Sequence, residues 1–242
     1  MELSIKELFD AGVHYGHRTS QWNPKNANFI YGSRNKIHII DLDKTKSSFE
    51  LANKAIYQEA LAFGTILFVG TKHAARVSIE NGAKKCEMPY VSERWLGGML
   101  TNFHTVSKSI SKLKNIEEKI QDINFIQKIS KKELLVLTRT RDKLRKGLGG
   151  ISGIEKLPSM VFVIDVAHEN IAVSEAVKLG IPVVGIVDTN NHPKGVDYVI
   201  PGNDDSLRSI ELYVQIIVDT ILQAKNDRVQ NTIAQEESKI VQ

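Results

Sequence analysis

A doubly wound α/β domain carrying a projecting coiled-coil hairpin is the fold this sequence predicts, on three observations. Apolar runs without alternation recur at residues 65–69, 160–165, 182–188 and 197–200, as in strands buried on both faces of a parallel sheet. Amphipathic helical stretches separate these runs, which puts helices on both sides of the sheet. The stretch 103–148 breaks the alternation with two helical patterns and no strand between them.

In chain order, Ser4 and Glu7 form a Ser-x-x-Glu capping box that starts a short helix ending near Gly12. Residues 14–25 read as a polar-aromatic loop. The runs 29–31 and 37–40 flank Gly32-Ser33-Arg34-Asn35 and read as a hairpin. Between 43 and 62, Phe49, Leu51, Ala52, Ala55, Ile56, Ala60 and Leu61 recur at helical spacing. The run at 65–69 passes through Gly70-Thr71-Lys72 into a helix over 74–84. The run at 160–165 leads into a helix from about 169 to 179. A third strand follows at 182–188, a short fourth at 197–200, and a last long helix at 204–223. Ligands or partners of such a sheet are expected near the strand C-termini.

In the interrupting stretch, Phe103, Val106, Ile110, Leu113, Ile116, Ile120 and Ile123 are spaced by three or four and put one apolar stripe on a long helix. Residues 122–130 read as the turn, and 131–148 as a returning helix through Leu134, Leu137, Leu144 and Leu148. Gly147, Gly149, Gly150 and Gly153 are expected to let the chain bend back into the sheet. The division is therefore 1–102 with 151–225 as the α/β domain, 103–150 as the inserted hairpin, and 226–242 as a polar, fraying tail.

Composition agrees with a packed domain and excludes several classes. At 242 residues, with 42% hydrophobic and 25% charged, the chain is neither wholly disordered nor collagen-like. Its single cysteine, Cys86, excludes an internal disulfide framework and a multi-thiolate zinc site, and its setting is that of a small packed hydrophobe. No apolar run reaches the roughly 18–20 residues of a membrane span. The first residues lack the basic-then-apolar layout of a secretory signal. A soluble protein of a reducing compartment is expected. The net charge of +4 conceals a segregation: residues 105–150 hold 12 Lys and Arg against 5 Asp and Glu, a surplus of +7, and the rest holds 20 against 23, or −3. A basic element on a near-neutral body is suited to meet an anion.

Four candidate chemistries follow. Gly70-Thr71-Lys72, between a strand and a helix, could hold an anion on backbone donors, but neither G-x-G-x-x-G nor G-x-x-x-x-G-K-[ST] occurs, which favours a structural turn with Lys72 on its rim. No base-plus-nucleophile motif accompanies Cys86. Asp188 ends a strand and Asp204-Asp205 start the last helix, all toward one sheet edge. Helix capping is the favoured reading of that pair. A Mg²⁺ or Zn²⁺ site completed by His17 is the alternative. Finally, Lys128, Lys131, Lys132, Arg139, Arg141, Lys143, Arg145 and Lys146 crowd the hairpin tip and returning arm with few acidic partners, which favours phosphate contact over an ordinary solvated face. The loop carrying His14, Tyr15, His17, Arg18, Trp22, Asn23 and Lys25 mixes aromatics and donors in a way that suits unpaired bases. A loop folded over the core with Trp22 buried fits it equally.

Six blocks carry a family resemblance: residues 11–17 (AGVHYGH), 22–24 (WNP), 36–42 (KIHIIDL), 94–102 (RWLGGMLTN), 180–190 (GIPVVGIVDTN) and 200–205 (IPGNDD). In order and spacing from about Ile5 to Leu222 they resemble the bacterial form of the small-subunit ribosomal protein S-two family. The resemblance implies a flavodoxin-like α/β domain with a coiled-coil hairpin. It also implies a non-enzymatic role binding small-subunit rRNA and neighbouring ribosomal proteins, including the mRNA-binding protein S-one, and in that role the hairpin cations, with Arg18, Lys25 and Lys72, are expected to contact phosphate. No required cofactor, no membrane and no homo-oligomer are implied, in the cytoplasm or a plastid. An ion is sometimes associated with the family's strand-end acidic cluster, here His17, Asp188, Asp204 and Asp205. The rival class is a flavodoxin-like nucleotide- or metal-dependent enzyme using the same sheet edge.

Overall fold

The computed structural model describes residues 3–240, with side chains through residue 231. Five strands, β4 (Ile66–Val69), β5 (Tyr90–Val91), β6 (Met160–Ile164), β7 (Val183–Val187) and β8 (Tyr198–Pro201), form one sheet in the order β5-β4-β6-β7-β8. Every neighbouring pair is parallel. Numbered within this sheet, the order is 2-1-3-4-5, the doubly wound flavodoxin-like arrangement, whose switch point lies between β4 and β6. Residues of β4, β6 and β7 are buried throughout, as their unbroken apolar runs require.

The two sheet faces are covered by different helices. Ile66, Phe68, Phe162 and Ile164 face a core with Phe49 and Ile56 of α2 (Leu42–Leu61), Ile79 of α3 (Arg76–Lys85) and Tyr213 and Ile217 of α8 (Leu207–Ile240). Leu67, Val69, Val161 and Val163 face Ala172 and Ala176 of α7 (Asn170–Leu179), together with Trp95, Met99, Ile110 and Leu148. Cys86 lies in the first core, and burial pushes its thiol pKa up to about 11, so it packs as a small apolar group.

The N-terminal segment adds a small sheet over the strand ends. The capping box of Ser4 and Glu7 starts α1 (Ile5–Asp10) as expected. Residues 14–25 are not all loop: Tyr15–Arg18 is a strand, β1, that pairs antiparallel with β3 (Ile37–Ile40), which also pairs with β2 (Ile30–Arg34). The hairpin turns at Asn35 and Lys36, both at positive φ, rather than across 32–35. Gly16 is where β1 meets the larger sheet, since a Cβ there would lie 2.6 Å from Thr189 Cγ2.

Between β5 and β6 come α4 (Phe103–Gln121), the short α5 (Ile123–Lys128) and α6 (Lys131–Leu148), with α6 returning along α4. The apolar stripe holds from Phe103 through Ile120 and fails at its last residue. Ile110, Leu113 and Ile116 are buried, but Ile123 is 70% exposed because Asp122 caps a new helix there. The capping box of Ser130 and Glu133 starts α6. Of the glycines at the hairpin base, Gly150 is the one that close packing requires, and unusual backbone explains none of them. None has positive φ, and a Cβ on Gly150 would lie 2.2 Å from the Tyr90 carbonyl oxygen. Two further expectations change. Leu51 points outward from α2, and α8 runs on to Ile240 instead of ending at residue 223. Its continuation is tied down: Lys225 Nζ donates to the Cys86 carbonyl at 2.7 Å, and the Tyr57 hydroxyl donates to Asp227 at 2.7 Å. Residues 241–242 of the expected tail lie outside the described residues.

Candidate nucleic-acid interface

The strand C-termini bring four carboxylates and two cations together. Asp165 follows β6, Asp188 follows β7, and Asp204 and Asp205 follow β8. Lys72, from the turn after β4, reaches Asp165 Oδ2 at 3.0 Å, Asp204 Oδ1 at 2.8 Å and Asp205 Oδ1 at 2.6 Å. His17, on β1, lies 3.1 Å from Asp188 Oδ2 through Nδ1, a charge contact off hydrogen-bond geometry, and 3.3 Å from Asp205 Oδ2 through Nε2. Asn191 Nδ2 donates to Asp204 at 2.8 Å.

The electrostatics follow from burial and this geometry. Asp188 and Asp204 are each 1% exposed. Burial, then the Asp165 and Asp188 charges, push the Asp204 pKa well above the carboxylate range, against the pull of Lys72. Contact with Asp188 raises the His17 pKa, outweighing burial, with Asp204 and Asp205 adding to it. Burial opposes the Lys72 charge, but the surrounding carboxylates outweigh it and hold the ammonium protonated. The cluster is an ion network that runs from buried Asp188 and Asp204 out to exposed Asp205.

This arrangement overturns two expectations. Asp204 and Asp205 do not cap the last helix. Asn203 Oδ1 accepts from the Asp205 and Ser206 amides at 2.9 and 3.2 Å, while Asp204 turns inward. Lys72, expected on the rim facing phosphate, is committed to three carboxylates instead. As placed, His17, Asp188, Asp204 and Asp205 do not fit Mg²⁺ or Zn²⁺, because the Lys72 ammonium already sits on two of the four, Asp204 and Asp205. No grouping of three or more His, Cys, Asp or Glu among the described residues could hold a metal ion.

The turn after β4 is also answered from within the chain. The Thr71 amide donates to Glu169 Oε1 at 2.6 Å, and Glu169 is 2% exposed. At the switch point, where doubly wound folds receive anionic ligands, the chain's own carboxylate therefore takes the donor. Sequence reasoning missed Asp165, Glu169, Asn26 and Asn191. Asp165 carried a usable signal, since it ends its apolar run as Asp188 ends the next. Asn26 had none: its Nδ2 donates to the Asp188 and Asn191 carbonyls at 2.9 and 2.7 Å across 162 and 165 residues.

Those bonds, with the Asn23 amide donating to the Thr189 carbonyl at 2.8 Å, pin the N-terminal segment to the end of β7. Trp22 is not buried: it is 38% exposed and tilts against His38 with ring centroids 5.4 Å apart. Arg18 and Lys25 are exposed beside it in the chain and have no ion-pair partner among the described residues. The segment therefore presents an aromatic ring and two free cations to its surroundings.

The hairpin cations divide into two groups. Arg141 donates to Asp142 from Nε at 2.9 Å and from Nη2 at 2.7 Å, Arg145 Nε lies 3.9 Å from Glu117, and Lys146 Nζ lies 3.4 Å from Glu93. Lys128, Lys131, Lys132, Arg139 and Lys143 are exposed and have no acidic partner among the described residues. Exposed, unpaired cations along one helical arm suit a polyanion's phosphates, because each one that neutralises a phosphate releases a condensed counterion. No helix among the described residues is long and apolar enough to cross a membrane.

Comparison with known proteins agrees with the blocks quoted from the sequence. A protein-family model, Ribosomal protein S2, matches residues 8–224. The chain is also similar to the small ribosomal subunit protein uS2 of Aeromonas salmonicida (strain A449), 50% identical over 236 residues that cover 98% of this chain and 96% of that protein. The match spans the N-terminal sheet, the five-stranded sheet and the helical insertion together, and on that extent the chain belongs to the Ribosomal protein S2 family.

Proposed function

We propose that the chain is a non-enzymatic constituent of the small ribosomal subunit that binds small-subunit rRNA. Lys128, Lys131, Lys132, Arg139 and Lys143 contact phosphate, and Arg18, Trp22 and Lys25 form a second contact in which Trp22 stacks on an unpaired base. The α/β body, whose charge outside the hairpin is near neutral, faces neighbouring ribosomal proteins, including the mRNA-binding protein S-one. In this role the protein works in the cytoplasm with the ribosome. The observation that carries the reading is the group of five unpaired cations on α5 and α6, set on a helical arm apart from the sheet. The name of the Aeromonas salmonicida relative supports the same assembly. Against a flavodoxin-like enzyme stand the Glu169 carboxylate on the Thr71 amide and the three carboxylates on Lys72, which use the donors a nucleotide phosphate would need.

Sedimentation through a sucrose gradient tests this. The chain is expected to run with small subunits at low salt. A chain that runs free of them at every salt concentration, and binds a nucleotide at micromolar levels, would sink the proposal.

A further inference from the structure

Between β5 and the hairpin, residues 95–101 form a compact loop held by one side chain from a distant helix. Glu175, on α7, is 7% exposed. Its Oε1 accepts from Trp95 Nε1 at 3.1 Å and from the Gly98 amide at 2.7 Å. Its Oε2 accepts at 3.0 Å from the Leu100 amide, the Thr101 amide and the Thr101 hydroxyl. A single carboxylate therefore receives five donors, all from the segment that ends where α4 begins. Burial works to raise the Glu175 pKa, and the donors from Thr101, Gly98, Trp95 and Leu100 outweigh it and lower it. Gly98, at φ +88°, lets the loop fold around the carboxylate.

The loop's place in the chain gives this contact a mechanical consequence. The chain enters and leaves the hairpin at two points, the loop before α4 and the short turn Gly149–Ile151 after α6, and Ile110 and Leu148 at its base pack into the core on the second sheet face. Only the first is gathered around a single removable charge. At 1.5 Å rise per residue, α4 is a lever of about 28 Å, so play of about 10° at its base moves the tip by about 5 Å. A displacement of that size shifts a lysine from one phosphate to the next.

We propose that Glu175 is a positioning residue that fixes the direction of the hairpin, and through it the register of Lys128, Lys131, Lys132, Arg139 and Lys143 on RNA. Its function is to restrict the hairpin to one orientation before binding. Without it the same cations remain, but only a fraction of chains hold the docking orientation, and the apparent dissociation constant rises by the inverse of that fraction. The RNA half of this inference rests on the rRNA-binding reading above; the orientation half does not.

The test uses the full chain with spin labels at Gln127→Cys on α5 and Lys54→Cys on α2, leaving buried Cys86 in place. Pulsed dipolar spectroscopy of the free protein is expected to give one narrow distance distribution, and Glu175→Ala to broaden it. In parallel, Glu175→Ala is expected to weaken binding to a small-subunit rRNA transcript about threefold or more with an unchanged salt slope. A narrow, unshifted distribution in a folded Glu175→Ala variant overturns the proposal. If that variant fails to fold, Trp95→Phe/Thr101→Val removes two donors and keeps the carboxylate. Broadening there supports the proposal and an unchanged distribution overturns it. If the wild type binds no rRNA, the rRNA reading fails by itself, and the distance distributions still decide the role of Glu175.

Discussion

Neutralising three of the five unpaired hairpin cations, as Lys131→Gln/Lys132→Gln/Arg139→Gln, should lower the salt dependence of rRNA binding and leave the fold intact. Glutamine is as good a helix former as lysine or arginine, and all three positions are exposed on α6. If the five cations each displace a counterion from phosphate, log K falls with log salt at a slope of about −3.5, taking about 0.7 per contact. Between 50 and 200 mM salt the wild type would then lose roughly 100-fold in affinity. With two hairpin contacts left, the hairpin's share of the slope becomes about −1.4, and its part of the same salt step falls to roughly 7-fold. Neutralising Arg141, Arg145 and Lys146 instead should change the slope less, because each already faces a carboxylate. Filter binding of a small-subunit rRNA transcript across four salt concentrations, with circular dichroism as the fold control, measures both. An unchanged slope in the first triple variant would refute the hairpin as the phosphate contact.

Three predictions concern the ion cluster and the hairpin base. Lys72→Met leaves Asp165, Asp204 and Asp205 facing one another without their shared cation, so it should cost about 3 kcal/mol in urea unfolding at pH 7.5. The loss should shrink at pH 5.5, where Asp204 of the wild type is itself protonated and no longer pairs as an anion with Lys72; a cost below about 1 kcal/mol at pH 7.5 would count against the network. The raised pKa of His17 means its stabilisation is full below the ordinary histidine pKa and is lost as pH rises through the folded value, so the wild-type advantage over His17→Gln should shrink from pH 6 to pH 9. An advantage that grows with pH would reverse the assignment. Gly150→Ala pushes a methyl against the Tyr90 carbonyl and should destabilise by about 2 kcal/mol, read as a shift in the urea midpoint at constant slope.

What the sequence disclosed and what it concealed divide along physical lines. The parallel sheet was legible because burial on both faces leaves unbroken apolar runs such as Met160–Ile164. The helices were legible through their 3.6 period and through the capping box at Ser4. The strand Tyr15–Arg18 was hidden because it is short, lies over polar strand ends and has no alternating pattern. The carboxylates of the cluster were partly legible, since Asp188, Asp204 and Asp205 stand in recognisable places. The partner that turns them from a cation site into an ion network was not. Lys72 sits 132 residues from Asp204, and nothing local distinguishes it from a rim lysine. Glu175 was concealed in the same way. It lies three residues from Ala172 on the buried face of α7, and only the packed loop reveals why a charge is tolerated there.

Cross-linking within assembled small subunits tests the central claim most directly. Ultraviolet irradiation followed by mapping of RNA-bearing peptides should place cross-links on residues 128–143 and near Trp22, with none at the Lys72 cluster. RNA-bearing peptides confined to α2, α3 and α8, with the hairpin free of RNA, would contradict it.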